Sequence, residues 1–532
     1  MKSYKHICTF FLLSGILALA LLLRLRGITW GLPHDPYFTL YHPDEFMSLL
    51  CLSRMRPALL DLNPRYFVNP TLYYYVAGAF LQLLSLVSDR FVSPFGPGKI
   101  PVEQLRCLLL GARSVTVFMG ALTVFLIYEA GRKLYDRTAG LLAALFLAVI
   151  PLHVVHSHYF TVNVAGAMWV ALVLVLAERI WRSGSMWWYL LAGLAIGLAT
   201  ATKYLGLLLI IPVLTAHLLG RGGGRSLKVL LLLVAIAIAF VAGCPYSVLS
   251  PGQFGADFYE MMRFNLFPPS LLRLLASLYY GFGLPALILA FLCVVLLLVE
   301  RKKQDWILLS FLIPFFLLSW YRASHFTRHL LPAVPVLALA VGRGVEIVWR
   351  RRPGRAWLTA ITLICALAVL YTAFYSWSYL SVMAGEDPRD ECGRWIADNI
   401  EEGRGVGLFS PPWFFTPPFD TTVYPPVLIF RNMEGLDLHS PECYVITSFE
   451  YDWMSHINSG AGMYIRDDFK QELADTKSFM ERDLPAAGYK LGAVFSSDVR
   501  PPIFGDCGLR IPHDWEYPAP EIKLFLKGNT GG

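Results

Sequence analysis

Eleven stretches of this sequence are apolar over the length of a bilayer crossing, and this limits the fold more than any other feature. A helix needs about 20 mostly apolar residues to span the hydrocarbon core. Only 16% of the 532 residues are charged, against about 25% in soluble proteins. The sequence therefore predicts an α-helical polytopic membrane protein with about eleven transmembrane helices. The expected spans are 9–26, 107–130, 138–156, 162–180, 186–202, 204–219, 227–243, 277–299, 306–321, 329–348 and 357–378.

The stretch 71–87 is nearly as apolar as these spans, yet the distribution of cations argues against a crossing there. Cytoplasmic loops carry an excess of lysine and arginine. If 71–87 does not cross, the cationic clusters fall on one side: Lys2/Lys5, Arg132/Lys133/Arg137, Arg179/Arg182, Arg221/Arg225/Lys228, Arg301/Lys302/Lys303 and Arg350/Arg351/Arg352/Arg355. We therefore expect 27–106 to be one long external loop, with 71–87 along the interface or re-entrant.

Residues 379–532 differ in composition from the rest, since no run of spanning length occurs there. Residues 388–402 have the pattern of an amphipathic helix. Four segments have the composition of short strands: 406–409, 444–448, 491–495 and 522–526. The sequence predicts a membrane domain over 1–378 and a small α/β domain over 379–532. Eleven spans would place the second domain outside the cell membrane, with the loop 27–106.

The net charge of +7 does not indicate a nucleic-acid partner. The cations sit in short clusters between apolar runs, as expected for a protein whose neighbours are membrane lipids.

Asp44 and Glu45 form an acidic pair about twenty residues past the first apolar stretch. Pro43 suits the first position of a helix, and carboxylates in a first helical turn are favoured by the helix dipole. The pair could therefore simply begin a helix. Charged groups beside a bilayer are costly, however, and usually functional, so we expect Asp44 and Glu45, with the nearby His42, to belong to a functional site.

Asn69 and Tyr73 lie in an aromatic, turn-rich segment, 61–75, that follows the acidic pair. Asn-Pro dipeptides bracket an extended aromatic piece there. Aromatic rings can stack on the faces of a sugar and amides can read its hydroxyls, so this composition favours a sugar site.

Three histidines within six residues, His153, His156 and His158, raise the question of a metal site. They do not share one helical face, so the polar lining of a cavity mouth is the preferred interpretation. His158, Tyr159 and Asn163 would then lie at that mouth. No cofactor is certain from the sequence, and Glu45 and His158 are the residues that could hold a divalent metal cation.

Lys203, Arg322 and Arg328 lie at the expected outer edge of the membrane, where cations are disfavoured. A phosphate held at the membrane surface would account for them. The alternative is that they reach out to external lipid headgroups.

Taken in order, these segments resemble the GT-C glycosyltransferases of the family 39 type, which use polyprenyl-phosphate sugars. They include protein O-mannosyltransferases and the lipid A aminoarabinose transferase. The resemblance covers most of the chain and is carried by seven segments: 42–45, 61–73, 157–163, 202–204, 244–246, 328–332 and 395–400. Asn163 stands where many members have aspartate. Val68 and Asn69 stand where the aminoarabinose transferase has an acid and a lysine, which argues against that substrate and weakens the case for zinc.

The resemblance implies a membrane glycosyltransferase of the cell envelope. It would move a sugar from a polyprenyl-phosphate donor to an extracytoplasmic protein, lipid or polysaccharide, with inversion at the anomeric carbon. Asp44 would act as general base, and Glu45 would orient the acceptor or hold a metal. Lys203 and Arg328, with Arg322 in reserve, would bind the donor phosphate. The residues that would contact the sugar or the acceptor are His42, Asn69, Tyr73, His158, Tyr159 and Asn163.

Two other functions stay open at this point. A transporter or flippase for a lipid-linked sugar could use the same cavity, although the repeats common in secondary transporters are not evident. A protein that binds the lipid-linked sugar without turning it over gains some weight from Asn163. The donor sugar, the acceptor and the length of the lipid do not follow from the sequence.

The topology can be tested with Arg90→Cys and Ile100→Cys, each in a background without native cysteines. Both thiols should react with an impermeant reagent added to intact cells, because 27–106 is expected outside. Reaction at position 100 only after permeabilisation would contradict this topology.

Overall fold

The structure is a computed structural model that describes residues 2–35, 40–96, 98, 100–220, 226–264, 269–322, 326–351, 354–409, 411–429, 439–451, 477–505 and 507–528. Helices dominate the first 399 residues, and a small sheet follows. The chain is a multi-pass, α-helical membrane protein with a small α/β region at its C-terminal end, as predicted.

The α-helices in the described ranges are α1 Lys2–Leu25, α2 Pro43–Ser53, α3 Leu72–Val87, α4 Val102–Leu134, α5 Arg137–Val149, α6 Pro151–His156, α7 Val162–Ser183, α8 Met186–Thr202, α9 Ile210–Leu219, α10 Ser226–Gly243, α11 Tyr246–Leu249, α12 Pro251–Phe264, α13 Leu271–Phe282, α14 Leu284–Glu300, α15 Lys303–Arg322, α16 Val334–Arg350, α17 Arg355–Ala384, α18 Pro388–Asn399, α19 Ser448–Tyr451 and α20 Leu484–Ala486. Shorter helical turns of the 3₁₀ type occupy Pro57–Leu59, Tyr204–Leu209, Thr327–Ala333 and His513–Trp515, and a π-turn occupies Phe479–Asp483.

Helical segments cover every stretch expected to span the membrane, but the number of crossings stays a prediction. Within the described residues, six helices are long and apolar enough to cross, or seven if one bent pair counts as a single span. The helices α5 and α8 and the stretch Leu227–Gly243 of α10 are apolar but shorter than 18 residues.

The stretch 277–299 is broken rather than straight. The helices α13 and α14 meet at Gly283 with a bend of 111°. Gly283 has a φ of +74°, a conformation that glycine adopts at little cost. A Cβ atom there would also come within 3.0 Å of the Tyr371 ring. Gly283 therefore permits both the bend and the close packing on α17.

The stretch 71–87 forms the helix α3, and one face of this helix is buried. Ala77 and Leu81 are buried, whereas Leu83 and Leu86 on the other face are exposed. One-sided burial is compatible with a helix that lies along an interface. The placement of 27–106 outside the cell stays a prediction.

Small residues bring α8 and α10 into close contact. A Cβ atom on Gly193 would lie 2.6 Å from the Leu232 carbonyl oxygen, and one on Gly197 would lie 2.4 Å from that of Ile236. Glycine at these positions lets the two backbones approach, which is how helices commonly associate inside a membrane.

The C-terminal region contains a five-stranded mixed sheet. Its strands are β1 Val406–Leu408, β2 Pro426–Leu428, β3 Cys443–Thr447, β4 Tyr489–Phe495 and β5 Ile522–Lys527. The order is β2-β1-β3-β5-β4, with β1 parallel to β2 and β3, and β5 antiparallel to β3 and β4. Four strands and the helix α18 follow the sequence prediction. The edge strand β2 was missed because it has three residues and begins with proline.

Buried polar contacts join this region to the membrane domain. The Arg389 guanidinium donates to both carboxylate oxygens of Asp387 at 2.7 Å. Trp30, after α1, donates to Asp387 at 2.9 Å. The Tyr379 hydroxyl on α17 donates to the Trp515 carbonyl at 2.9 Å. The C-terminal region is therefore held over the ends of α1 and α17, where it can close a cavity.

Candidate functional site

A cavity of about 970 Å³ opens where α2, α7, α15 and the C-terminal region meet. One part of its wall is apolar and the other part carries charged and aromatic side chains. Of the residues predicted to form the site, six line this cavity: Asp44, Asn69, Asn163, Lys203, Arg322 and Arg328.

The helix α2 begins as the sequence predicted, with Pro43 in its first turn. His42 caps it, because its Nδ1 atom accepts the Asp44 backbone N–H at 3.2 Å. Successive residues of an α-helix point about 100° apart, so the two neighbouring carboxylates cannot share an environment. Asp44 lines the cavity together with Met47 and Ser48, three and four residues further on.

Glu45 points the other way, into the protein core, and is fully buried. Its carboxylate accepts from Nε of Arg113 at 2.8 Å and from a terminal nitrogen of Arg113 at 2.6 Å. The Phe160 backbone N–H donates to it at 2.7 Å. Burial alone would raise the pKa of this carboxyl, but the Arg113 guanidinium outweighs burial and holds the pKa of Glu45 below its usual range. Glu45 thus anchors α2 and does not face the cavity.

Asp44 forms an ion pair with Arg328 in the cavity wall, with 3.3 Å between Asp44 Oδ2 and Arg328 Nε. The Asp44 side chain is 37% exposed and that of Arg328 is 12% exposed. A second carboxylate, Asp514, lies 3.6 Å from the same guanidinium. Arg328 is therefore shared between an open carboxylate and a buried one.

Asp514 comes from the C-terminal region and caps the 3₁₀ turn that carries Arg328. It accepts the backbone N–H groups of Thr327 at 2.8 Å and Arg328 at 3.0 Å. Burial raises the pKa of Asp514 despite the neighbouring Arg328. The C-terminal region thereby fixes the position of a cavity cation.

Lys203 donates from Nζ to the Asn163 amide oxygen at 2.7 Å. Burial, with a contribution from the charge of Arg328, lowers the pKa of Lys203 to about 7. The partner is a neutral amide, so the ammonium charge is not balanced there. Within the described part of the chain, no carboxylate lies within 4.0 Å of Lys203 Nζ or of the Arg322 guanidinium.

His42 and Tyr159 lie behind the cavity wall. Their rings are 4.2 Å apart, and His42 also meets the Tyr517 ring at 4.9 Å. Burial lowers the pKa of His42 to about 4, so it is a neutral capping group at ordinary pH. Both residues support the wall instead of lining it.

Tyr73 and His158 are not brought to the cavity, contrary to expectation. The Tyr73 hydroxyl bonds to Thr116 in the core at 2.6 Å, and it is the adjacent Tyr74 that lines the cavity. The two ring nitrogens of His158 each lie 2.9 Å from a backbone carbonyl, of Val154 and of Arg26.

The residues proposed for a metal do not fit one. The oxygens of Glu45 are taken by Arg113 and Phe160, and the ring nitrogens of His158 face carbonyl groups. Among the residues that the structure describes, no three His, Cys, Asp or Glu side chains gather as metal ligands.

Sequence reasoning missed two groups of residues. Arg113 could have been detected from the sequence, because it is an arginine inside an otherwise apolar span. A charged side chain in such a span is costly unless it pairs with another group. The second group comes from the C-terminal region and had no local signal. It consists of Asp514, which fixes Arg328, and of the lining residues Trp413, Phe414, Phe415, His513 and Tyr517.

Comparison with known proteins supports the resemblance seen in the sequence. Residues 108–248 match the family model described as dolichyl-phosphate-mannose-protein mannosyltransferase. No curated protein sequence gives a match.

Two solved structures with TM-scores of 0.50 or more show the likeness in fold. The oligosaccharyltransferase AglB from Archaeoglobus fulgidus, in complex with an inhibitory peptide and a dolichol-phosphate, has a TM-score of 0.57 at 12% identity, covering 94% of this chain and 74% of that chain. The Archaeoglobus fulgidus oligosaccharyltransferase tethered with an acceptor peptide has a TM-score of 0.50 at 14% identity, with coverages of 98% and 78%. ArnT from Cupriavidus metallidurans, bound to undecaprenyl phosphate, has a TM-score of 0.48 at 17% identity and covers 72% of each chain.

The expected GT-C fold is thus confirmed. Residues 108–248 are thus similar to a mannosyltransferase family model, and the likeness of the chain to the solved structures is one of fold. The assignment of individual site residues stays a prediction.

Removing the Glu45 charge should damage the fold rather than a metal site. Glu45→Gln leaves the buried Arg113 uncompensated, which should cost about 3–5 kcal/mol of stability. Thermal melting in detergent should show a clear drop, and added divalent cations should not restore it. As a control, Glu401→Gln breaks an exposed pair with Arg404 and should melt like the parent. A parental melting point with metal-dependent activity would contradict the anchoring role.

Proposed function

We propose that this chain transfers one sugar from a polyprenyl-phosphate sugar on the outer leaflet to a hydroxyl group of an extracytoplasmic acceptor. The acceptor would be a protein, a lipid or a polysaccharide. The observation that carries the proposal is the composition of one cavity, which combines an apolar lobe, three cations and the carboxylate of Asp44.

The apolar lobe suits the lipid tail of such a donor. It is formed by side chains of the 3₁₀ turn before α9, of α9 itself and of α15. These include Leu205, Leu207, Leu208, Ile210, Ile211, Phe315 and Leu318. An apolar wall of this kind favours an isoprenoid chain over a soluble nucleotide donor.

The cations suit the donor phosphate. Lys203 donates to a neutral amide, and the Arg322 guanidinium lies 4.0 Å from the Met261 sulfur, with no carboxylate pairing with either cation among the described residues. Both side chains are partly buried, where an unpaired charge is costly. A phosphate oxygen would supply the missing partner and form charge-assisted hydrogen bonds. Arg328 would join them by exchanging its contact with Asp44 for the phosphate.

Asp44 is placed to act as general base once Arg328 turns to the phosphate. Its carboxylate takes the proton of the acceptor hydroxyl while the acceptor oxygen bonds to the anomeric carbon. The bond from that carbon to the phosphate oxygen breaks, and its electron pair leaves with the phosphate. Lys203 and Arg328 stabilise this growing charge. Attack opposite the leaving phosphate gives inversion.

The base role of Asp44 is tested by Asp44→Asn in the purified full chain. The substitution keeps size and removes the basic oxygen, so release of polyprenyl phosphate should fall about 10²–10⁴-fold. Donor affinity, measured separately, should be largely retained.

Glu260→Gln is the matched control. Glu260 is the other carboxylate among the described lining residues, and it lies on α12. It should retain near-parental turnover. An inactive Glu260→Gln variant together with an active Asp44→Asn variant would indicate that Glu260, on α12, is the base. Lipid-linked sugar crossing the membrane without any release of polyprenyl phosphate, in parent and variants alike, would support a flippase instead.

Donor affinity should depend on pH through Lys203. Its pKa near 7 means that the ammonium is charged below pH 7 and largely neutral above it, whereas the donor phosphodiester stays anionic throughout. The parent should therefore bind the donor more tightly at pH 6 than at pH 8.5. The contact is worth about 1.5–3 kcal/mol, so Lys203→Ala should weaken donor binding at pH 6 by roughly 10–100-fold.

Two variants make this measurement specific. Lys203→Arg keeps the charge at all pH values used and should flatten the pH dependence. Lys228→Ala removes a lysine whose ammonium donates to the Gly184 carbonyl, away from the cavity, and should behave like the parent. Equal affinity of parent and Lys203→Ala at pH 6 would discard the phosphate role and favour a contact with lipid headgroups.

A further inference from the structure

The segment 411–418 reads Pro-Pro-Trp-Phe-Phe-Thr-Pro-Pro and is called here the aromatic loop. Proline fixes its own backbone angle and restricts the residue before it, so this loop has few conformations to lose on binding. The backbone N–H of Trp413 donates to the Thr416 hydroxyl at 3.1 Å, and the backbone N–H of Thr416 donates to the Trp413 carbonyl at 3.1 Å. The prolines and these two hydrogen bonds therefore restrict the backbone of the loop to few conformations.

Contacts with other residues of the C-terminal region also hold the aromatic loop in place. Arg389, already paired with Asp387, donates to the Phe414 carbonyl at 3.0 Å. The Phe415 ring stacks on the Phe449 ring at 3.8 Å and is buried. Trp413 and Phe414 are left partly exposed and line the cavity. The rigid base therefore presents two ring surfaces to whatever occupies the cavity.

A third ring comes from α2. Phe46 is 42% exposed, and its ring centre lies 5.6 Å from that of Phe414. It lies on α2, the helix that carries Asp44, but is not among the described residues that line the cavity. The aromatic loop therefore lies next to α2, whereas the lobe suited to the lipid tail is formed by the turn before α9, α9 and α15.

The cavity that Trp413 and Phe414 line also carries side-chain hydroxyls and amides, namely those of Ser48, Tyr66, Asn69 and Thr161. Ring surfaces with a few polar groups suit a ligand that is apolar on one face and hydroxylated at its edge. A sugar ring has this character. A peptide bound by strand addition would need a free strand edge, and no strand contributes a described lining residue.

We propose that Trp413, Phe414 and Phe46 form an acceptor subsite for a carbohydrate ring, so that the accepting hydroxyl belongs to a glycan or to a sugar headgroup. This inference rests on the proposed function, because it takes Asp44 as the base beside which the acceptor binds. It narrows the acceptor to the carbohydrate class and leaves the particular sugar to the experiment.

Binding can be measured without turnover by saturation-transfer NMR on the full chain in detergent, with polyprenyl phosphate present. The probes are methyl hexopyranosides and short oligosaccharides, and a serine- and threonine-containing peptide for comparison. Parent and Asp44→Asn should both transfer saturation to the carbohydrate ring protons. Trp413→Ala and Phe46→Ala should weaken carbohydrate binding at least tenfold. Trp413→Phe, which keeps an aromatic ring, should retain most of the parental affinity for carbohydrate.

Trp187→Ala is the matched control, because Trp187 is an exposed tryptophan of α8 that does not line the cavity. It should bind like the parent. Phe46 is already 42% exposed, so its removal tests the subsite even if Trp413→Ala does not fold. Peptide binding without carbohydrate binding, or carbohydrate binding unchanged in folded Trp413→Ala and Phe46→Ala, would overturn the inference.

The proposed transfer reaction and the proposed acceptor subsite can be disproved independently of each other. Release of polyprenyl phosphate by the parent, together with no carbohydrate binding, would sink the subsite and keep the glycosyltransferase. Carbohydrate binding that depends on Trp413 and Phe46, without any donor cleavage, would keep the subsite and sink the transfer reaction.

Discussion

The buried ion pair between Glu45 and Arg113 is the constraint on which the geometry of the site depends. Two buried charges are costly unless their hydrogen-bonding capacity is filled. Here the guanidinium also donates to the carbonyls of Ile28 at 2.6 Å and Trp30 at 2.8 Å, so both partners are well satisfied. The pair ties α2 to α4 and to the end of α1. Because neighbouring helical residues diverge by about 100°, Glu45 in the core leaves Asp44 in the cavity.

Among the described residues that line the cavity, three cations outnumber two carboxylates. Asp44 partly balances Arg328, whereas Lys203 faces the neutral Asn163. An aspartate at position 163 would neutralise Lys203 and weaken its attraction for phosphate. Asn163, where many members of the resembled family have aspartate, therefore leaves the charge of Lys203 available to an anion.

The C-terminal region is part of the site and not only an appendage. Asp514 caps the turn that carries Arg328, and the aromatic loop forms the wall beside α2. Both depend on the docking of Asp387 and Arg389 against Trp30. Arg328, Asp44 and the aromatic loop, which come from distant parts of the chain, are thus held in one arrangement. A preorganised arrangement of this kind lowers the cost of binding a ligand.

Local patterns predicted what local forces determine. The helix start at Pro43, the apolar helices and four of the five strands follow from composition and periodicity. The separate fates of Asp44 and Glu45 could not be predicted, because they depend on Arg113, which lies 68 residues away from Glu45. Tyr73 was chosen over Tyr74 for the same reason, since neighbouring positions differ only by what packs against each face. The cap from Asp514 needs a contact across 186 residues, which no single sequence discloses.

The most direct measurement is a cryo-electron microscopy structure of the full chain with polyprenyl phosphate. The account predicts the phosphate within hydrogen-bonding distance of Lys203 Nζ and the Arg328 guanidinium, with the lipid tail along Leu205–Ile211. It also predicts that the contact between Arg328 and Asp44 is loosened and that Glu45 still pairs with Arg113. A phosphate bound away from Lys203 and Arg328, or a lipid that leaves this cavity empty, would contradict it.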